Sequence, residues 1–97
     1  MDFEVVDNAD QHRFEIRVDG EAAGAAYYRL HPADAGEPER IVFTHTEVEP
    51  RFEGKGVGGR LAGGALTLAK DRGLRIVAQC PFIAAYLKKH PELATDS

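Results

Sequence analysis

Residues 53–59, read as Glu-Gly-Lys-Gly-Val-Gly-Gly, form a glycine-rich turn between a β-branched run and an apolar pattern with helical spacing. Glycine lacks a Cβ, so the N–H groups of such a turn can approach a ligand closely. At the start of a helix these groups have no intrahelical partner and the helix dipole adds positive charge, which suits phosphate oxygens. The turn, with Arg51, Lys55 and Arg60 nearby, predicts an anion site. Glycine content alone fits a flexible loop equally well.

Cys80 is the one cysteine in the chain, and it stands directly before Pro81, where a helix is expected to begin. A helix N-terminus favours the thiolate, so a reactive thiol and an acyl-cysteine intermediate are chemically reasonable. A buried core cysteine is the alternative. An internal disulfide is excluded, and no Cys/His pair has zinc-ligand spacing. We therefore expect no metal site.

His45 and Glu47 lie in a β-branched segment, and strand alternation predicts that they share one face with Phe43. The opposite face would then carry Val42, Thr44, Thr46 and Val48. Histidine can accept protons near neutral pH, and a suitably buried carboxylate can act as a general base. The alternatives are a hydrogen-bonded sheet histidine and a solvated charge at the end of a strand.

Length and composition indicate a single domain over residues 1–97 with one modest core. The formal net charge of −4 disfavours a general electrostatic attraction to nucleic acid or to an anionic membrane. No stretch approaches the roughly 20 apolar residues of a membrane span, and the N-terminus lacks a secretion signal. We expect a cytoplasmic protein without nucleic-acid or membrane partners.

The first half of the chain predicts antiparallel strands. In the second of them Phe14, Ile16 and Val18 alternate with charged residues, and Asp19-Gly20 predicts a two-residue hairpin turn after it. The third strand is rich in alanine, which also favours helix, but the hairpin and its tyrosines favour a strand. The predicted strands cover residues 3–7, 12–18, 22–30 and 40–48.

The second half predicts a helix over residues 57–72 that stops at Gly73, followed by a parallel strand over residues 74–79. A last helix begins at Pro81 and ends at His90-Pro91, and the polar tail over residues 92–97 is expected to fray. Glycines inside the first helix indicate a close approach, which we expect the sheet to make. The inward residues predicted for the two helices are Val57, Leu61, Ala65, Leu68, Ala69, Phe82, Ile83, Tyr86 and Leu87.

Residues 53–58 resemble the acetyl-CoA pyrophosphate loop of the GNAT N-acetyltransferase superfamily: Gln or Arg, two residues, Gly, one residue, then Gly or Ala. Glu53 departs from that pattern, and its carboxylate would repel a pyrophosphate unless nearby cations compensate or it points away. The context strengthens the resemblance, because a His-Thr-Glu-Val strand precedes the loop and Cys80-Pro81-Phe82 follows it. The likeness is most specific over residues 44–92, and the arrangement is similar to the small stand-alone, YjdJ-type branch.

The resemblance implies an α+β fold, a minimal GNAT-like domain with about five strands in a mixed, mostly antiparallel sheet and a strand-helix-strand-helix C-terminal half. It implies an acetyl-CoA-dependent N-acetyltransferase whose acceptor is a primary amine, on a small molecule or a protein lysine. Acetyl-CoA, the cosubstrate, would lie between the fourth and fifth strands. The residues implied to bind it are Thr46, Val48, Gly54, Lys55, Gly56, Val57, Gly58, Gly59 and Arg60.

The resemblance also implies catalytic roles. Glu47 falls where many members keep a general base, with His45 as the neighbouring candidate. Tyr86 falls where a tyrosine often protonates the departing CoA thiolate, although it could equally be a core aromatic. Cys80 falls where a cysteine is proposed to take part in the small branch.

Two other functions fit the same pattern. Only residues 8–11 fill the place where larger relatives carry helices between the first two strands. An open cleft of that kind favours a macromolecular acceptor, or a non-catalytic acyl-CoA-binding or protein-interaction module. A nucleotide-binding protein is the weaker alternative, since the turn lacks the Lys-Ser or Lys-Thr ending of a P-loop.

Overall fold

The computed structural model describes residues 2–94, which form five strands and two α-helices. Single 3-10 turns follow the first strand, precede the first helix and follow the second helix. The tail predicted to fray extends to residues 95–97, which lie outside the described residues. The elements are β1 (Phe3–Asn8), β2 (Arg13–Val18), β3 (Glu21–His31), β4 (Arg40–Val48), α1 (Val57–Asp71), β5 (Arg75–Ala78) and α2 (Pro81–Lys89).

The sheet has the strand order β1-β2-β3-β4-β5, with antiparallel pairing from β1 to β4 and parallel pairing between β4 and β5. The predicted hairpin turn is confirmed, because Asp19 (φ 50°) and Gly20 (φ 85°) both have the positive φ that a type I′ turn requires. The α+β fold with a five-stranded mixed sheet, and its strand-helix-strand-helix second half, are likewise confirmed.

Both helices cover the same face of the sheet. The buried core combines Phe14 and Phe43 from the strands with Leu61 and Leu66 of α1 and Ile83 of α2. Helix α1 contacts all five strands, and α2 contacts β4, β5 and α1. Within residues 2–94 no helix covers the opposite face, which we call the open face. In the same range neither helix is long and apolar enough to cross a membrane.

The predicted alternation along β4 is wrong at its midpoint. Tyr27 pairs with His45 but Tyr28 pairs with Phe43, so Thr44 is an extra residue in the register. This β-bulge reverses the alternation, because two consecutive residues then oppose one position of the neighbouring strand. Phe43 is consequently buried in the core beneath the helices, whereas His45 and Glu47 lie exposed on the open face.

Three predicted helix contacts also differ from the structure. Leu68 and Phe82 are exposed, at 36% and 43%, rather than inward. The close approach at Gly64 is made by the sheet as expected, because a Cβ there would lie 2.7 Å from Val5. At Gly63 it is made by the other helix, because a Cβ would lie 2.7 Å from the hydroxyl of Tyr86.

Candidate active site

Strands β4 and β5 separate after a short stretch of pairing. They pair only from Arg40 to Phe43, and the N–H groups of Gln79 and Cys80 both donate to the carbonyl oxygen of Phe43 at 3.0 Å. Beyond that point the chain turns into α2 while β4 continues to Val48. The edge of β4 that faces away from β3 therefore borders a V-shaped gap.

The glycine turn lies at the mouth of this gap and opens α1. Gly54 (φ 79°) and Gly56 (φ 76°) adopt left-handed backbone conformations, and Gly56 is the N-cap of the helix. Because α1 begins at Val57, the N–H groups of its first turn have no carbonyl four residues earlier within the helix. The predicted turn-to-helix arrangement is present, with the geometry of an anion site.

A groove of about 320 Å³ joins β4 to the turn. Its β4 wall is formed by Thr46, Glu47 and Val48, and the exposed ring of Phe82 closes the side toward α2. The rest of the lining comes from Phe52, Glu53, Gly54, Gly56, Val57 and Gly58. The groove thus brings together residues that the sequence analysis predicted as cofactor-binding on the strand and in the turn.

Two of the three cations that could offset the negative charge of Glu53 contact other residues instead. Glu53 is part of the lining. Arg51 is 3.5 Å from Glu21 and lies over the ring of Phe52, and Arg60 lies over Phe3 at 4.2 Å from the ring centroid. Of the three predicted cations, only Lys55 is without such a partner among the described residues, so backbone N–H groups are the main donors available to an anion.

Cys80 lies behind the groove wall. It is 4% exposed and belongs to the core, and its sulfur is 3.3 Å from the hydroxyl oxygen of Thr46. The residue is the N-cap of α2, as expected, although its side chain makes no capping hydrogen bond. A thiol is therefore linked to the groove through one side chain of β4.

Tyr86 lies outside that groove. Its ring stacks on His90 at 4.3 Å between centroids, and it lines two neighbouring cavities, one between α1 and α2 and the other between α1 and β1. Phe82 separates these surfaces, since it lines both the groove and one of the two cavities. The predicted catalytic residues therefore fall into three places: Cys80 behind the groove, Tyr86 beside it, and His45 with Glu47 on the open face.

Of the pair on the open face, Glu47 lines a second cavity of about 320 Å³. Nε2 of His45 is 3.3 Å from Oε2 of Glu47, and the two side chains are 63% and 56% exposed. Glu47 and Val48 line both this cavity and the groove, so β4 forms a shared wall. The remaining lining is Arg13, Glu15, Ala22, Gly24, Ala25, Tyr27, Glu49 and Pro50.

A chain of polar contacts crosses four strands toward Glu47. Asn8 and Arg13 both donate to Oε2 of Glu15, at 3.0 and 2.6 Å, and these hydrogen bonds, Asn8 first, lower the pKa of Glu15. Arg13 also donates to the hydroxyl of Tyr27 at 3.4 Å, and that hydroxyl donates to Oε1 of Glu47 at 3.1 Å. The open face thus holds a connected polar network that ends at the candidate base.

Arg13 and Tyr27 were missed as site residues. The residue type of Tyr27 indicates only that it favours a strand. The hairpin turn alone does not give their pairing, because an uninterrupted ladder from Asp19-Gly20 would place Arg13 opposite Ala26. A register shift between Ile16 and Arg17 makes Ala23 an extra residue and joins Arg13 to Tyr27. The pairing of β3 with β4 is shifted in the same way at Thr44.

Comparison with known proteins gives a family match over most of the chain. Residues 13–96 match the family model described as GCN5-related N-acetyl-transferase. No curated protein matches the sequence at a significant level.

Solved structures share the fold at low sequence identity. A ribosomal-protein-alanine N-acetyltransferase from Brucella melitensis biovar Abortus is 21% identical with a TM-score of 0.62, covering 88% of this chain and 62% of that one. A predicted acetyltransferase with acetyl-CoA from Clostridium acetobutylicum is 15% identical (TM-score 0.55; coverage 92% and 62%). An aminoglycoside N-acetyltransferase in complex with CoA is 17% identical (TM-score 0.53; coverage 99% and 92%). The chain therefore spans less than two thirds of the first two structures.

Proposed function

The chain belongs to the GCN5-related N-acetyltransferase family, and on that basis we propose that it transfers the acetyl group of acetyl-CoA to a primary amine. The observation that carries the proposal is the groove between β4 and the start of α1, where Thr46, Val48 and the glycine turn meet. Two of the structurally similar proteins were solved with acetyl-CoA or CoA, which supports the same cosubstrate here.

Acetyl-CoA fits the groove by its chemistry. The N–H groups from Gly54 to Gly59 would bind the pyrophosphate, and the free edge of β4 from Thr46 to Val48 would hold the amide-containing arm. Lys55 would supply the mobile positive charge beside the phosphates, because Arg60 lies over the ring of Phe3. Glu47 and Glu53 are the two acidic residues of the lining, and Glu53 is the one beside the glycine turn, so we expect its negative charge to weaken binding of the pyrophosphate.

The reaction would be a direct transfer within a ternary complex of the protein, acetyl-CoA and the amine. The amine nitrogen attacks the thioester carbon, a C–N bond forms, and the C–S bond breaks to release the CoA thiolate. The proton lost by the amine passes to the carboxylate of Glu47, and exposed His45 can return it to solvent. Glu47 borders both cavities, which supports its assignment as the base.

The acceptor would enter from the open face. The cavity there is floored by Ala25, and it meets the groove at Glu47 and Val48, so an amine in the cavity would reach the thioester across the edge of β4. No helix covers this face within residues 2–94. An uncovered approach of this kind suits an amine on a large acceptor, such as a lysine side chain of a protein.

The departing thiolate would take a proton from Cys80 through the hydroxyl of Thr46 rather than from Tyr86, and Cys80 would regain a proton from water by the same route. The thiol contacts Thr46, which lines the groove, whereas Tyr86 borders only the neighbouring cavities. In a direct transfer Cys80 carries no acetyl group.

Membership of the small, YjdJ-type branch is the finer part of the proposal. It is supported by the short connection between β1 and β2, which consists of the 3-10 turn Ala9–Gln11 and His12. That turn leaves the open face unobstructed at the ends of both strands.

Isothermal titration with acetyl-CoA, free CoA and ATP is the first test, followed by turnover on a panel of amines that includes a lysine peptide. We expect both CoA species to bind and ATP not to bind, with acetylation of at least one amine. Binding without turnover on the whole panel would favour a non-catalytic acyl-CoA-binding module. Absence of binding to either CoA species would overturn the proposal.

A further inference from the structure

The strand register lines up two rows of side chains on the open face. The bulge in β4 is what brings His45 and Glu47 into these rows, because without it they would point toward the helices. One row is Arg13, Tyr27 and His45, and the next is Glu15, Ala25 and Glu47. Since Ala25 is small, the acidic row has a gap at its centre, and the hydroxyl of Tyr27 reaches diagonally to Glu47.

Tyr27 is held from both sides. The guanidinium of Arg13 lies 5.7 Å from the ring centroid, and the ring of His45 lies on the other side at 6.0 Å with an interplanar angle of 24°. Arg13 is itself fixed by Glu15 at 2.6 Å, which in turn accepts a hydrogen bond from Asn8. These contacts hold the side chain of Tyr27 in place, with its hydroxyl directed at Glu47.

Glu47 has few other restraints. Its side chain is 56% exposed, and among residues 2–94 no Lys or Arg forms a salt bridge with it. An exposed glutamate samples several rotamers unless something orders it. The hydrogen bond from Tyr27 occupies Oε1, and His45 approaches Oε2.

We infer that Tyr27, braced by Arg13, is a positioning residue that holds the Glu47 carboxylate between the two cavities. The inference rests on the proposed function, in which Glu47 takes the proton of the acceptor amine. With Oε1 occupied, Oε2 forms the new O–H bond as the N–H bond of the amine breaks. His45 Nε2 then accepts that proton and releases it to water, which returns Glu47 to its starting state.

Kinetics of Tyr27→Phe provide the first test, because phenylalanine keeps the ring between Arg13 and His45 and removes only the hydroxyl. We expect kcat to fall about tenfold, as for loss of a hydrogen bond to a charged group, with an unchanged Kd for acetyl-CoA. In a Glu47→Gln background the same substitution should cause no further loss. Tyr28→Phe is the matched control, since Tyr28 lies on the helix-covered face and bonds to Asp7; it should lower thermal stability and keep kcat.

Side-chain NMR relaxation at Glu47 is the second test and needs no turnover. We expect the methylene groups of Glu47 to be ordered in the wild type and mobile in Tyr27→Phe, with no change in Tyr28→Phe. If the wild type acetylates no amine while this difference is found, positioning stands and the transferase proposal fails. Equal mobility of Glu47 in wild type and Tyr27→Phe, or additive kinetic losses with Glu47→Gln, would overturn the inference.

Discussion

The hydroxyl oxygen of Thr46 lies 3.3 Å from the sulfur of Cys80, which connects the groove wall on β4 to the N-cap residue of α2. Thr46 lines the groove, and Tyr86 does not. We predict that Cys80→Ala lowers turnover by about 10²-fold, the usual scale for loss of a proton donor, and that Tyr86→Phe lowers it by less than about threefold.

Steady-state kinetics with a reactive amine would measure both effects, and titration with acetyl-CoA would check that each variant still binds its cosubstrate. Intact-mass analysis after incubation with acetyl-CoA alone should find no acetyl group on Cys80. A larger loss in Tyr86→Phe, or an acetylated Cys80, would contradict this assignment.

Replacing either of two glycines of α1 by alanine should change the free energy of unfolding, in opposite directions for the two positions. A Cβ at Gly64 would lie 2.7 to 3.1 Å from three atoms of Val5, and a strand side chain cannot withdraw easily. A Cβ at Gly59 would meet only Tyr86, at 3.9 Å. We predict that Gly64→Ala lowers the free energy of unfolding by about 1–3 kcal/mol through overpacking. Gly59→Ala, the matched control, should raise it by up to about 1 kcal/mol through helix propensity. Denaturant unfolding would measure both, and equal destabilisation would argue against the packing explanation.

A larger side chain in the cavity on the open face should weaken binding of the acceptor amine without changing binding of acetyl-CoA. Ala25 floors that cavity and does not line the groove. We predict that Ala25→Leu raises the KM for the amine about tenfold or more, because the added side chain occupies the proposed acceptor position, and that the Kd for acetyl-CoA is unchanged. Ala33→Leu, the same substitution in the exposed loop before β4, serves as control. An unchanged KM would mean that the acceptor approaches from elsewhere.

Much of the fold follows from local patterns. The alternation of Phe14, Ile16 and Val18 and the Asp19-Gly20 turn determine the first hairpin, and α1 begins and ends where the sequence indicates. These signals depend on neighbours within a few residues, so a single sequence contains them. Leu68 and Phe82 were misassigned because helical spacing identifies an apolar stripe without giving its width.

The site was less predictable because it depends on pairing between distant strands. A bulge at Thr44 places Phe43 and His45 on opposite faces of the sheet, and no residue type in the segment predicts that bulge. The partner of Glu47 is Tyr27, twenty positions earlier, which only the β3–β4 register brings close. The glycine turn was recognisable, since its geometry is local, whereas the direction of Arg51 and Arg60 away from the groove depends on Glu21 and Phe3.

Alkaline pH should destabilise the protein through Tyr28. The side chain is 2% exposed and donates to Asp7 at 2.6 Å, and burial, followed by the hydrogen bond and charge of Asp7, raises the pKa of Tyr28 well above its usual value. A raised folded-state pKa means that this contribution to stability is complete below the unfolded pKa of about 10 and is lost as pH rises above it.

We therefore predict that Tyr28→Phe is less stable than the wild type near neutral pH and that the difference in Tm narrows between about pH 9 and pH 11. Circular dichroism melts of the two proteins at matched pH would measure the difference, and titration of lysines largely cancels in the comparison. A constant difference across that range would show that ionisation of Tyr28 is not linked to unfolding.

Glu53 offers the sharpest electrostatic test of the groove. Glu53 lines the groove that we assign to the pyrophosphate, and Arg51 and Arg60 contact other residues. We predict that Glu53→Gln lowers the Kd for acetyl-CoA about fivefold at low salt, because it removes a repulsion of about 1 kcal/mol between charges several ångströms apart. The gain should shrink in high salt, which screens the same interaction.

Lys55→Gln should act in the opposite direction, weakening binding by a similar factor. Glu39→Gln is the matched control for the change in net charge, since exposed Glu39 precedes β4 at the end of the strand opposite the groove. Titration calorimetry at two salt concentrations would give all the constants. If Glu53→Gln and Glu39→Gln change the affinity equally, the effect belongs to overall charge and the phosphates are not bound at the glycine turn.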